Sequence, residues 1–133
     1  LAWQVPDAWA DPSPTIAWEM AAEPRWRDRI EATIDPHPLL TPAGYLDLLL
    51  PPAAEVDLWT TTYHHVLDGP DPVVQWYLGS FLRAFISGLE RAEVDEFVGQ
   101  YARRVAVAYP ARSDGRTVMP FRRVFCVATR GAG

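Results

Sequence analysis

The stretch DLWTTTYHHVLDGPDPVVQWYLGS, residues 57–80, decides how the chain is read. With Glu55 and Val56 before it, its first half is EVDLWTTTYHHVL, rich in β-branched and aromatic side chains and without a 3.6-residue apolar period. That pattern predicts a long strand from Glu55 to Leu67. DGPDP breaks the strand, and Asp71-Pro72 opens a helix that runs to about Gly79. The adjacent His64 and His65 therefore belong to the end of a strand. Neighbouring strand side chains point to opposite faces, so the two imidazoles cannot close on one metal ion. Each reads first as a strand-end histidine that makes hydrogen bonds, ahead of any catalytic role.

Working outward toward the start, LAWQV predicts a buried strand over Leu1 to Val5, stopped by Pro6. A turn-rich loop follows, and Ser13-Pro14 supplies a cap and a first-turn proline for a helix from Pro14 to Glu23. Pro24 ends it. In the arginine-rich connector beyond, Trp26 and Ile30 lie four apart and suit a single helical turn. Thr41-Pro42 repeats the cap-plus-proline device before a short helix with Tyr45, Leu46, Leu49 and Leu50 on one face.

Working outward toward the end, FLRAFISGL continues the helical pattern to about Gly88. From Glu90 to Tyr109 the apolar residues Val94, Phe97, Val98, Tyr101, Val105 and Tyr109 recur at helical spacing, and charged residues fill the other faces. Pro110 ends that helix, SDG makes a turn, and FRRVFCVAT predicts a last strand from Phe121 to Thr129.

Composition narrows the class. The chain has 133 residues, 49% apolar and 22% charged, with a net charge of -5. This is one soluble domain's worth of material, and no apolar run is long enough to span a bilayer, so no membrane partner is expected. The acidic balance argues against nucleic acid, whose phosphates need clustered cations. A single cysteine, Cys126, sits in an apolar run and reads as a small core residue in a reducing, cytoplasmic setting.

Catalytic motifs are missing. There is no HExxH pattern, no Cys/His cluster and no GxSxG elbow, and His37 stands between two prolines without ligand spacing to the other histidines. No metal site and no catalytic residue is expected.

The segments LAWQVPDAWADPSP, TPAGYLDLLLP, EVDLWTTTYHHVLDGPDPVVQW and AYPARSDGRTVMPFRRVFCVATR resemble, in sequence and order, the C-terminal half of trans-aconitate 2-methyltransferases. The resemblance implies an α/β fold, the C-terminal half of a Rossmann-like class I methyltransferase. Leu1–Val5, Glu55–Leu67 and Phe121–Thr129 would be its fifth, sixth and seventh strands, the last of them antiparallel. Residues 1–133 would form one substrate-side portion, with 71–109 as a helical, lid-like insertion. It further implies S-adenosylmethionine as cofactor of the intact protein. The chain opens at Leu1 in a strand and has no Gly-rich turn after a first strand. It is therefore expected to lack the cofactor-binding N-terminal half, not to bind the cofactor alone and to be inactive alone.

On this resemblance the acceptor is a small carboxylic acid, trans-aconitate or a relative of it. Its binding residues would gather at the carboxyl ends of the parallel strands. Tyr63, His64 and His65 reach that edge at the end of the sixth strand, Arg122 and Arg123 reach it at the start of the antiparallel seventh, and Gln4 reaches it at the end of the fifth. Only one of the two arginines should face the site, because they alternate. Trp76, on the following helix, could line it. The alternative reading is a non-catalytic module that binds a partner, dimerises or exchanges strands through the unpaired edge of the first strand.

Overall fold

The first strand and the last lie side by side. In a computed structural model, which describes residues 1–7, 10–31, 34 and 40–131, strand β1 (Ala2–Pro6) pairs antiparallel with strand β3 (Thr117–Arg130). The register runs from Ala2 opposite Val127 to Pro6 opposite Arg123. Strand β2 (Ala53–Leu67) completes a sheet of order β1-β3-β2. His37 lies outside the described residues.

Between the strands come helices α1 (Pro12–Ala21), α2 (Arg27–Ile30), α3 (Pro42–Leu49), α4 (Pro72–Leu78), α5 (Leu82–Ile86) and α6 (Arg91–Ala108). The chain divides into two compact units. One comprises Leu1–Asp11, Pro38–His64 and Pro120–Gly133; the other comprises Pro12–His37 and His65–Met119. Helices α1 and α2 thus belong with the helices of 71–109.

The expected elements form, with several shifts of boundary, among them β2 starting at Ala53 instead of Glu55 and α1 ending at Ala21 instead of Glu23. Helix α1 starts at Pro12, not at Pro14, and Ser13 is a buried residue of its first turn, not its cap. A first-turn proline is tolerated because its missing N–H would have had no helical partner. Strand β1 takes in Pro6. Strand β3 begins at Thr117, four residues before the expected Phe121, and passes through Pro120. Proline has no N–H to donate, and because the β1 ladder ends at Arg123 no β1 carbonyl waits opposite it as an acceptor.

The sheet unit buries little of itself. Val124, Cys126 and Ala128 are buried on one face of β3, where Trp3 packs against Tyr45 of α3 with ring centroids 4.8 Å apart. Helix α3 has its expected cap, the Thr41 hydroxyl accepting the Gly44 N–H at 3.1 Å. Its apolar face is narrower than expected: Leu50, at the end, is exposed. No residue of the fifteen in β2 is buried.

The helical unit holds the larger core. Met20, Trp26, Ile30, Leu82, Phe85, Phe97 and Tyr101 are all fully or almost fully buried. The expected turn at Trp26 and Ile30 is α2 with its preceding residue, and both side chains reach this core. Trp26 meets Phe97 edge-on at 5.2 Å, and its indole N–H donates to Gln100 Oε1 at 3.1 Å. Ser13 shares a short hydroxyl contact with Tyr101, and its backbone N–H donates to the Tyr109 hydroxyl at 3.2 Å. These bonds satisfy the polar atoms that α1 brings into the core.

Arginines from 23–29 lock onto α6. Arg29 makes a two-nitrogen contact with Glu93, at 2.6 and 3.0 Å, and Arg25 reaches Glu96 at 2.8 Å. Glu93 Oε1 also accepts the Glu90 N–H at 3.0 Å, closing the start of the helix. The Arg29 hydrogen bond, helped by that backbone N–H, lowers the Glu93 pKa from 4.5 to about 2.

Two stability measurements follow from this packing. Phe97→Ala should cost about 3–5 kcal/mol in urea unfolding, whereas Val107→Ala, at an 83% exposed position, should stay within about 0.5 kcal/mol. For Glu93 the folded pKa is depressed, so its contribution is present above pH 4.5 and is lost as pH falls toward 2. Unfolding midpoints should drop more steeply over that window in the wild type than in Glu93→Gln; parallel profiles would contradict this.

Candidate functional site

Strand alternation separates the two adjacent arginines. Arg122 and Arg123 lie opposite the end of β1, where Pro6 pairs with Arg123 and the Asp7 N–H donates to the Arg122 carbonyl at 2.8 Å. The burial of β3 changes phase here. Thr117, Met119 and Phe121 are buried before the pair and Val124, Cys126 and Ala128 after it, while both arginines are half-buried.

Arg122 is committed to the fold. Its Nη1 donates to Asp11 Oδ1 at 2.6 Å, and its backbone N–H donates to Asp11 Oδ2 at 3.1 Å. The Asp11 side chain is only 2% exposed, so one buried carboxylate is closed by one arginine at two points. Burial raises the Asp11 pKa above its ordinary value, and the Arg122 backbone N–H and guanidinium pull it the other way.

Arg123 is differently placed. Its Nε donates to Gln4 Oε1 at 3.0 Å, and its guanidinium carbon stands 5.6 Å from the centre of the Phe121 ring. Among the described residues it has no carboxylate within ion-pair distance. Gln4 pairs with Phe125 across the ladder, so Arg123 is its diagonal neighbour on the same face.

That face continues onto β2. Trp59 stacks on Phe125 with centroids 5.5 Å apart and planes 7° apart, and the two rings border a shallow cavity of about 300 Å³ with Ala2, Gln4 and Val127. Trp59 and Val127 are each 43% exposed. By alternation Tyr63 shares the face of Trp59, and His64 takes the opposite one. Tyr63, His64, Arg122 and Arg123 thus all belong to the sheet unit.

His65 and Trp76 belong to the helical unit, where their rings pack at 4.8 Å. The cavity of that unit, about 230 Å³, lies between the turn at 69–72, α4, the end of α6 and the turn before β3. None of the six predicted residues lines it, and Asp71 is its acidic wall. An anion would find no cation there.

Sequence reasoning placed Gln4 at the same edge as the two arginines without pairing it to Arg123, and it missed Asp11 as the partner of Arg122. Asp11-Pro12 repeats the pattern of Asp71-Pro72, which was a signal for the helix start. Nothing local in the sequence announces a contact between residues 4 and 123. Cys126 is buried in the sheet, as expected. Among the described residues no group of three His, Cys, Asp or Glu side chains could hold a metal ion, and no helix is long and apolar enough to cross a membrane.

No family model matches the chain. It is 42% identical over 133 residues to a trans-aconitate 2-methyltransferase of Streptomyces avermitilis, covering 99% of this chain and 49% of the relative. It is 38% identical over 131 residues to one from Rhodopseudomonas palustris, covering 98% and 51%. A third, from Streptomyces coelicolor, is 40% identical over 136 aligned positions, covering 100% and 45%. The chain spans about half the length of the curated relatives it matches. The resemblance read from the quoted segments is borne out along essentially the whole chain.

Asp11 supplies the prediction here. Asp11→Ala leaves the Arg122 N–H and guanidinium without their acceptor and should cost about 1–3 kcal/mol; Asp11→Asn keeps one carbonyl oxygen and should cost less. The folded pKa is raised, so the carboxyl's contribution is full below its ordinary value of 3.8 and is lost as pH rises through the folded value. The stability gap between wild type and Asp11→Asn should therefore narrow from pH 4 upward in denaturant titrations; a widening gap would mean that attraction to Arg122 outweighs burial.

Proposed function

We propose that the chain is the acceptor-side half of an S-adenosylmethionine-dependent methyltransferase that esterifies a carboxylate of trans-aconitate. The observation that carries this reading is the 37–42% identity to trans-aconitate 2-methyltransferases over 98–99% of the chain in the matches from S. avermitilis and three Rhodopseudomonas and Afipia strains. In this reading β1, β2 and β3 are the fifth, sixth and seventh strands of the methyltransferase sheet. The order β1-β3-β2, with β3 antiparallel to β1, supports that numbering.

S-adenosylmethionine would supply the methyl group. The described residues do not build a cradle for it: β1 runs into Asp7 instead of a glycine turn, and the two left-handed glycines, Gly69 and Gly115, stand singly in turns. The reading therefore leaves the cofactor to the part of the relatives' length that this chain does not span.

What remains for this chain is to hold the acceptor. A carboxylate is ionised at neutral pH and is already a nucleophile, so no base is required of the protein. A tricarboxylate carries two further anionic groups, and a planar guanidinium is the side chain best matched to them. Arg122 is spent on Asp11, so Arg123 takes this role. It stands at the carboxyl end of β1, where ligands of open α/β sheets bind. Tyr63, on the same sheet face, is proposed as a second contact. His64, on the opposite face, and His65 with Trp76, which pack on each other, are given no role.

The test is methyl transfer from S-adenosylmethionine by the protein that carries this chain, offered trans-aconitate and a panel of small mono-, di- and tricarboxylic acids. Trans-aconitate should be the preferred acceptor; no preference for it would contradict the assignment. Arg123→Ala should raise the acceptor KM by about 10–100-fold, the worth of one or two hydrogen bonds to a charged group. Arg122→Ala should lower the unfolding midpoint and leave the acceptor KM nearer wild type. The reverse pattern would exchange the two roles.

A further inference from the structure

We infer that Gln4 is a positioning residue for the acceptor: by holding Arg123 at Nε, it leaves the two terminal amino groups as the fork that meets the acid. The inference rests on the reading above, and it adds what determines the direction from which the acid is gripped.

A guanidinium can grip a carboxylate in two ways, end-on through its two terminal nitrogens or side-on through Nε and one terminal nitrogen. Gln4 Oε1 occupies Nε at 3.0 Å, which removes the side-on mode. The terminal nitrogens have no hydrogen bond to any described residue. The Phe121 ring backs the guanidinium at 5.6 Å. The Gln4–Arg123 contact follows from the register, because Gln4 opposite Phe125 makes Arg123 a diagonal neighbour on the same face. Gln4 is itself exposed, so the pair is open to a ligand.

The arrangement also favours acids with several carboxylates. One carboxylate of the acceptor is consumed at the reacting position. Only an acid with another to spare can satisfy a fork fixed at a distance from it. A loosely held arginine would accept an acid in several poses and lose part of the gain from orientation.

The experiment measures kcat and KM for trans-aconitate and for a small monocarboxylate, with the protein that carries this chain as wild type, Gln4→Ala, Gln4→Met, Arg123→Ala and Gln4→Ala/Arg123→Ala. Gln4→Ala should raise the trans-aconitate KM about tenfold, with a smaller effect on kcat, as expected for one hydrogen bond to a charged group. The ratio of kcat/KM between the tricarboxylate and the monocarboxylate should fall by a similar factor. Gln4→Met, which keeps the length but offers no acceptor, should behave like Gln4→Ala. In the Arg123→Ala background, removing Gln4 should add nothing. Equal losses on both acids, a wild-type KM in Gln4→Met or an undiminished Gln4 effect without Arg123 would overturn the role of Gln4 alone. A wild-type protein that methylates no carboxylic acid would overturn the functional reading together with it.

Discussion

Adjacent side chains on a strand cannot face the same way, and at Arg122-Arg123 that constraint sends the two guanidinium groups to different partners. One guanidinium turns to the buried Asp11 carboxylate and ties the segment after β1 to β3. The other turns to the opposite face, where Gln4 takes one nitrogen and no other described residue bonds the terminal pair. Charge alone would treat the two residues as equivalent. Burial decides between them, because a carboxylate only 2% exposed must be closed by a donor.

The two units differ in how they are held together. The helical unit packs aromatic side chains around Phe97 and Trp26, satisfies its buried hydroxyls through Ser13, Tyr101 and Tyr109, and clasps α6 with Arg25 and Arg29. The sheet unit buries one face of β3 and leaves Trp59, Phe125 and Val127 around a shallow, partly exposed cavity. A fifteen-residue strand with no buried residue is unusual for a hydrophobic sheet, and β1, the strand read as buried, has no buried residue either. The mismatch sits beside the fact that the chain spans half the length of its relatives.

Much of the fold was legible because local rules agreed with one another. The Thr41-Pro42 and Asp71-Pro72 pairs mark helix starts, the apolar run at helical spacing from Val94 to Tyr109 marks α6, and β-branched and aromatic residues without a helical period mark β2. Where a long-range contact intervenes, the local reading shifts. Ser13-Pro14 reads as the cap of α1, but the helix starts at Pro12, and a buried tyrosine hydroxyl, invisible in the local sequence, draws Ser13 inward. Pro120 likewise looked like a strand boundary, because nothing local shows that the β1 ladder stops at Arg123. Of the site, the strand ends and the alternation of the arginines could be read. Gln4 could be placed at the same edge but not in its bond to Arg123, and Asp11 could not be read at all: both lie more than a hundred residues away in sequence, and only the pairing of first and last strands brings them close.

The central claim is that Arg123, held by Gln4, grips the acceptor while Arg122 serves the fold. The most direct test is nitrogen NMR of the arginine side chains in the protein that carries this chain, with trans-aconitate titrated in and both signals assigned by substitution. The account predicts that the terminal guanidinium signals of Arg123 shift and slow their rotation on binding, while those of Arg122 stay where they are. Movement of Arg122 with Arg123 unchanged would contradict it.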